Sequence, residues 1–387
     1  MTSRTFYHRL FVSIMFLAGV FGILTHGVAR PLLKSGKIEE SETWSGLVEI
    51  TGDITIPAGI TVTIMPGTTV AIRANSDDQQ RGGDHIIDEI TNQDPSARAE
   101  YTRTHISIDI SGSLVAAGKH DQPIRFTSSH PFPRHTDWDG IKFLKGSSGI
   151  LKHCVVEWAH TGPALHDTDD VVVSHSIIRH IFWGGLHAFR NQPLFEFNYL
   201  DDIGHEAFDT HRASPVIRHN VILRARNAFV FNHYHVQSGK PVVFEDNIVR
   251  DCSNMGQLQE NNYSMIRRNI FVGSDRKIGP WVYQGFVLDA EPHSVGMGLA
   301  DNVRVTIEDN RFAGISGFPI YYERIGPNGG IGHTTKTPEP FEIIGAQSVR
   351  IARNVFWGEG AEPSLKMLRE QIPDIEITRN TIQPPGH

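Results

Sequence analysis

Six phrases between residues 151 and 272 decide the fold. They are LKHCVVE (151–157), VSHSIIR (173–179), FEFNYLD (195–201), IRHNVIL (217–223), FEDNIVR (244–250) and IRRNIFV (266–272). Their central residues are Cys154, Ser176, Asn198, Asn220, Asn247 and Asn269, at intervals of 22, 22, 22, 27 and 22. IEDNRF, IARNVF and ITRNTI repeat the phrase around Asn310, Asn354 and Asn380, and their intervals of 41 and 44 read as two periods each. A fixed period of this size with Asn in one column marks a solenoid, whose turns bury a continuous core by stacking. The Asn column is expected at a bend, where amides of successive turns bond to each other and to backbone. The next column, Val155, Ile177, Tyr199, Val221, Ile248 and Ile270, is expected inside as a stacked apolar core.

The same texture extends outward. From Trp44 short alternating strands are broken by Gly52, Pro57–Gly59 and Pro66–Gly67. Residues 30–43 read as a polar lead-in. Polar or Gly/Pro-rich stretches near 74–104, 130–139, 273–303 and 321–348 read as protruding loops. PSLKMLREQI (363–372) is the one helical pattern, expected to cover an end of the solenoid.

SGLVEITGDITIPAGITVTIMPGTTVAI (45–72), GSLVAAG (112–118), PIRFTSS (123–129), WDGIKF (138–143) and GILKHCVVEWA (149–159) carry a resemblance. They are similar to the right-handed parallel β-helix repeat family of exported proteins, in the pectate-lyase-like superfamily. The likeness runs over about residues 44–382. It implies an all-β, single-domain right-handed parallel β-helix over 44–387, and a polysaccharide or glycan as partner. The superfamily's WxDH, RxPxxR, NTD, GHG and RIK signatures are absent, so no catalytic residue carries over.

The N-terminus reads as an export signal. Arg4, His8 and Arg9 precede an apolar run from Leu10 to Leu24, and GVA (27–29) offers cleavage after Ala29. The reading is therefore a signal peptide at 1–29 and a secreted protein, extracellular or periplasmic, with no membrane contact beyond that signal. Without the two arginines of that segment, 34 Lys and Arg face 43 Asp and Glu, which excludes nucleic acid as a general partner. The two cysteines, Cys154 and Cys252, lie about four turns apart. At about 4.8 Å per turn that exceeds the ~7 Å a disulfide spans, so both are expected as free, buried thiols.

Side chains at equal offset from the ladder lie above one another. Offsets of eleven to fourteen residues gather His187, Asp209, His211, His233, Arg190, Arg212 and Tyr234 on one lateral face. His235 joins the cluster, and His166, Asp167, Asp169, Asp170, Glu260 and Asn261 flank it. Such a face suits an acidic or polyhydroxyl chain. In β-elimination, Arg190 and Arg212 would neutralise a uronate carboxylate while His211, His233 or Tyr234 moves the proton. In hydrolysis, Asp167 and Asp209 are the available carboxylate pair. His187, His235, Asp167, Glu260 and Asn261 would bind substrate. Two metal alternatives are Asp209 and His211 with His233 and His235, and Ca2+ on Asp167, Asp169 and Asp170. Trp281, Tyr283, Tyr321, Tyr322 and Trp357 are candidate sugar-stacking platforms. The chain is thus expected to bind, and in the stronger form cleave, a polysaccharide as a lyase or glycoside hydrolase. The alternative is a non-catalytic surface or extracellular scaffold.

Overall fold

The computed structural model describes residues 30–74, 105–232, 239–259, 262–274, 281–283, 286–288, 295–299, 303–315, 317–322 and 348–384. Residues 1–29, read from the sequence as an export signal, lie outside them, as do residues 75–104.

The ladder sets the register of every turn. The Asn220 Nδ2 donates to Asn247 Oδ1 at 3.0 Å and to the Phe195 carbonyl at 3.0 Å. Its backbone N–H donates to the same Asn247 Oδ1 at 2.9 Å. The pattern continues from Asn247 to Asn269, Asn310, Asn354 and Asn380. Ser176 continues it upward by accepting the Cys154 N–H. Asn269, Asn310 and Asn354 are fully buried, and these bonds satisfy their amides as burial requires.

Around this column the chain folds into a triangular coil with three faces. The first follows the ladder: Ile124–Ser128, Cys154–Glu157, Ile177–Ile181, the start of Tyr199–His211 and of Val221–Asn232, Ile248–Arg250, Ile270–Val272. The second comprises Ser107–Ile110, Gly140–Phe143, Ala164–His166, Leu186–Phe189, the ends of the two long strands, Asn254–Leu258, Val295–Leu299 and Ile320–Tyr322. These two join as one 20-stranded sheet because the long strands run across the corner. A 12-stranded sheet, from Glu42–Trp44 to Glu376–Thr378, forms the third face. Its pairings are parallel throughout.

Each corner is made by one residue with positive φ. His153, His175, Phe197, His219, Asp246 and Arg268 turn the corner before the ladder. Trp158, His180, Asp202 and Arg224 turn the next, and Asp167, Arg190 and Arg212 the third. These are not glycines, although left-handed backbone costs an L residue about 1–2 kcal/mol. Ring contacts offer a compensation: His153, His175, Phe197 and His219 rings follow at 5.1, 4.9 and 4.9 Å. Asp246 then pairs with Arg268, and Asp309 with Arg353.

Four expectations change. Four of the six residues in the column after the ladder, Ile177, Tyr199, Ile248 and Ile270, are exposed, while Val155 is buried and Val221 half-buried. The ladder residue itself points inward, so strand alternation sends its neighbour outward and the next residue inward. The core column is therefore Val156, Ile178, Leu200, Ile222, Val249 and Phe271, all fully buried. Second, the intervals of 41 and 44 are single turns carrying insertions. Asn269 bonds directly to Asn310, and Tyr263–Arg267 pairs with Arg304–Glu308. Third, within the loop read over 273–303, Val295–Leu299 is a rung between Asn254–Leu258 and Ile320–Tyr322. Trp281–Tyr283 and Phe286–Leu288 pair as an antiparallel ribbon. Fourth, the polar lead-in contains strands Leu32–Lys37 and Glu42–Trp44, the first pairing in parallel with Leu47–Ile56.

The single described helix, α1 (Ala361–Gln371), takes the second-face position of the last turn. Ala361, Leu365 and Leu368 are buried, and the Ser364 hydroxyl donates to the Ile320 carbonyl at 2.5 Å. The helix so covers Ile320–Tyr322, whose sheet edge would otherwise be open. Cys154 and Cys252 are free and buried, and burial pushes both thiols up to about 12.

Candidate functional site

Three of the long insertions fall, in chain order, between the first and second faces. Residues 75–104 fall between Thr69–Ile72 and Ser107–Ile110, and 129–139 between Ile124–Ser128 and Gly140–Phe143. Residues 273–294 fall between Ile270–Val272 and Val295–Leu299. Each interval starts on the first face and ends on the second. The regular turns between them, 154–232, carry the densest polar chemistry.

On the second face His187, Asp209 and His211 come together. His187 Nδ1 lies 3.2 Å and His211 Nε2 2.9 Å from Asp209 Oδ2. The Asn232 amide donates to Asp209 Oδ1 at 3.3 Å. Asp209 and His187 are buried at 6% and 3% exposure, while His211 is partly exposed. His187 fits because Gly184 has no side chain; a Cβ there would stand 2.0 Å from its Nε2. Burial alone would raise the Asp209 pKa, but the two histidines hold it far below the usual carboxylate range. Burial likewise opposes charge on His211, yet the Asp209 carboxylate, with Glu206 nearby, raises its pKa above the ordinary value. Glu206 is buried beside His205, and its Oε2 has no hydrogen-bond partner among the described residues.

Other expected members are placed differently. Arg190 donates to both Asp167 oxygens, at 2.7 and 2.5 Å, and depresses the Asp167 pKa. Both occupy the third corner, so Arg190 is engaged by a carboxylate of its own chain. Asp169 accepts the Gln192 N–H at 2.6 Å. The Ca2+ alternative on Asp167, Asp169 and Asp170 is therefore not assembled, because two of the three carboxylates face protein donors. Asp167 and Asp209 also have separate partners, the one half-buried beside Arg190 and the other buried beside His187. Arg212 follows Arg190 at the same corner.

The columns themselves slip by one residue. His187 pairs with Ala164 rather than Leu165, and His211 with Asn232 rather than His233. The cause is an extra residue before Leu186 and an irregularity between Ile203 and Glu206. His233, Tyr234, His235, Glu260 and Asn261 lie outside the described residues. Of the aromatic platforms, Trp357 borders a hollow of about 600 Å3 with Arg311, Ile315 and Phe271. The Tyr321 hydroxyl accepts the Asn254 amide at 3.3 Å.

Counting outward from the ladder by only four residues would have found a second group. Trp158, His180 and Asp202 recur there at the 22-residue interval. His180 Nδ1 lies 2.7 Å and His135 Nε2 2.9 Å from Asp202 Oδ2. These hydrogen bonds outweigh burial and depress the Asp202 pKa well below the carboxylate range. Trp158 stacks on His180 at 4.1 Å, and Trp183 on His205 at 4.1 Å. His135 belongs to an insertion, so no period announced it.

Residues 133–274 match the family model described as "Right handed beta helix region". The fold is an all-β right-handed parallel β-helix. Among solved structures, this β-helix is similar to the catalytic domain of a GH87 alpha-1,3-glucanase in complex with tetrasaccharides. The identity is 10%, the TM-score 0.45, and the match covers 90% of this chain and 61% of that one. It is also similar to a Family 28 exopolygalacturonase from Yersinia enterocolitica, at 10% identity and TM-score 0.43, covering 89% and 72%. A third is the periplasmic alginate epimerase AlgG, at 9% identity and TM-score 0.39, covering 88% and 78%. This chain thus spans less than two thirds of the glucanase domain. These likenesses concern the path of the coil and carry no reaction to this chain. Comparison with curated protein sequences finds no match. Among the described residues no helix is long and apolar enough to cross a membrane.

Proposed function

We propose that this β-helix is an exported protein that binds a polysaccharide along the corner and second face, and processes it by acid–base chemistry. One observation carries the reading: a partly exposed His211 is paired with a buried Asp209 that raises its pKa, and Asp209 is itself braced by His187 and Asn232. A positioned imidazolium of raised pKa is suited to donate a proton to a leaving glycosidic oxygen. Buried Glu206 supplies a second carboxylate on the same strand, three residues away. It replaces Asp167 as the partner of Asp209 in the hydrolytic version. The β-elimination version is weakened, because Arg190 already serves Asp167.

The experiment pairs binding with turnover. Wild type and His211→Ala are screened on a glycan array, and against uronate and neutral polysaccharides with product read as unsaturated-bond absorbance or new reducing ends. The reading expects one polymer to be bound and turned over, with His211→Ala lowering kcat about 10²–10⁴-fold. Binding without turnover selects the scaffold alternative, which the deep burial of His187 and Asp209 favours. Absence of both binding and turnover sinks the proposal.

A further inference from the structure

We propose that His135, His180 and Asp202 form a binding site for a divalent first-row transition metal of the zinc type. Among the described residues this is the one group whose three donor atoms all lie within 4.8 Å of one another. Nδ1 of His180 and Nε2 of His135 converge on one carboxylate oxygen, at 2.7 and 2.9 Å. Two imidazole nitrogens and a carboxylate suit zinc and its neighbours, whereas Ca2+ and Mg2+ seek oxygen ligands. Zinc bonds of about 2.0–2.2 Å require the donors to part by well under 1 Å from their hydrogen-bonded spacing. Each imidazole then carries its proton on the other ring nitrogen.

The surroundings hold the donors in place. Trp158 stacks on His180 within 11° of parallel and meets His135 edge-on at 5.7 Å. The two imidazoles stand nearly perpendicular, at 82°. Positive φ at His180 and at Asp202 projects both side chains from the corner. His135 arrives from the insertion after Ile124–Ser128, so the ion would tie that insertion to two turns of the coil. Three protein donors leave one position open in a tetrahedral site. The side chains are each about a quarter exposed, so water or a hydroxyl or carboxylate oxygen of a ligand reaches that position. The site does not depend on the acid–base role of His211.

The test is a titration of the chelator-treated chain with Zn2+ by calorimetry, and with Co2+ by visible absorption. The expected result is one ion per chain, with the Co2+ spectrum of a four- or five-coordinate nitrogen–oxygen site. Asp202→Asn and His135→Ala should each weaken binding by at least about 100-fold. Trp158→Ala should weaken it about 10-fold. His175→Ala, at a different corner, should leave it unchanged. Far-UV circular dichroism confirms that each variant folds; His135 lies outside the rungs, so its removal leaves the coil intact. Absence of stoichiometric binding overturns the site, leaving a hydrogen-bonded clip for the insertion. Binding that survives both His135→Ala and Asp202→Asn also overturns it, placing the ion at other histidines.

Discussion

Replacing Asn310 by Ala tests the ladder where it is deepest. Asn310 Oδ1 accepts the backbone N–H of Asn269 at 2.9 Å and its Nδ2 at 3.0 Å. Asn310 Nδ2 donates to the Ile266 carbonyl at 2.8 Å and to Asn354 Oδ1 at 3.0 Å. Alanine removes all of these at a fully buried position. At about 1 kcal/mol per hydrogen bond the loss is roughly 4 kcal/mol, and the stranded Asn269 N–H adds about 1–3 more. Asn380 is the contrast. It accepts from Asn354 and donates to Ile351 in the same way, but it sits half-buried on the last rung. Water can replace its partners, so Asn380→Ala should cost about 1–2 kcal/mol. Urea unfolding followed by circular dichroism and tryptophan fluorescence measures both. If the two costs differ by less than about 1 kcal/mol, burial is not what gives the ladder its strength. The reasoning would then be refuted.

Three further outcomes follow from the same structure. Phe271→Ala, within the ring stack to Phe312 at 4.8 Å, should cost about 3–5 kcal/mol, whereas exposed Ile270→Ala should stay within about 1 kcal/mol by thermal unfolding. The raised pKa of His211 stabilises the fold fully below the unfolded value of about 6.5 and ceases to do so as pH rises through the folded value. The depressed pKa of Asp209 stabilises above about pH 4 and is lost in stronger acid, so the gap between wild type and His211→Gln should be widest from about pH 4 to 6.5; a gap that widens toward alkaline pH contradicts the pairing. Cys154 and Cys252, buried and shifted up to about 12, should react with a thiol reagent at neutral pH only after denaturation.

The site was less legible than the fold, and particular residues show why. Offsets along the sequence brought His187, Asp209 and His211 together correctly, because they sit on neighbouring rungs of nearly equal length. The same counting joined His211 to His233, and the structure instead pairs it with Asn232. One residue of slip at a bend exchanges in-facing and out-facing positions, and counting cannot see a bulge. Arg190 looked like a free carboxylate ligand until its corner placed it against Asp167. His135 lies in an insertion, where the period gives no coordinate at all.

What the sequence by itself determined is the coil: the parallel stacking, the Asn column, the separation of two free cysteines and the helix near the end. These follow from local chemistry repeated at a fixed interval, and repetition turns a weak preference into a register. Only the tertiary structure decided which column faces the core and that the 41- and 44-residue intervals are single turns. It alone gathered His135, His180 and Asp202. Those facts depend on where each bend falls in three dimensions, and a bend is set by a backbone angle that no residue type dictates: His, Trp, Asp and Arg all adopt positive φ at the corners here.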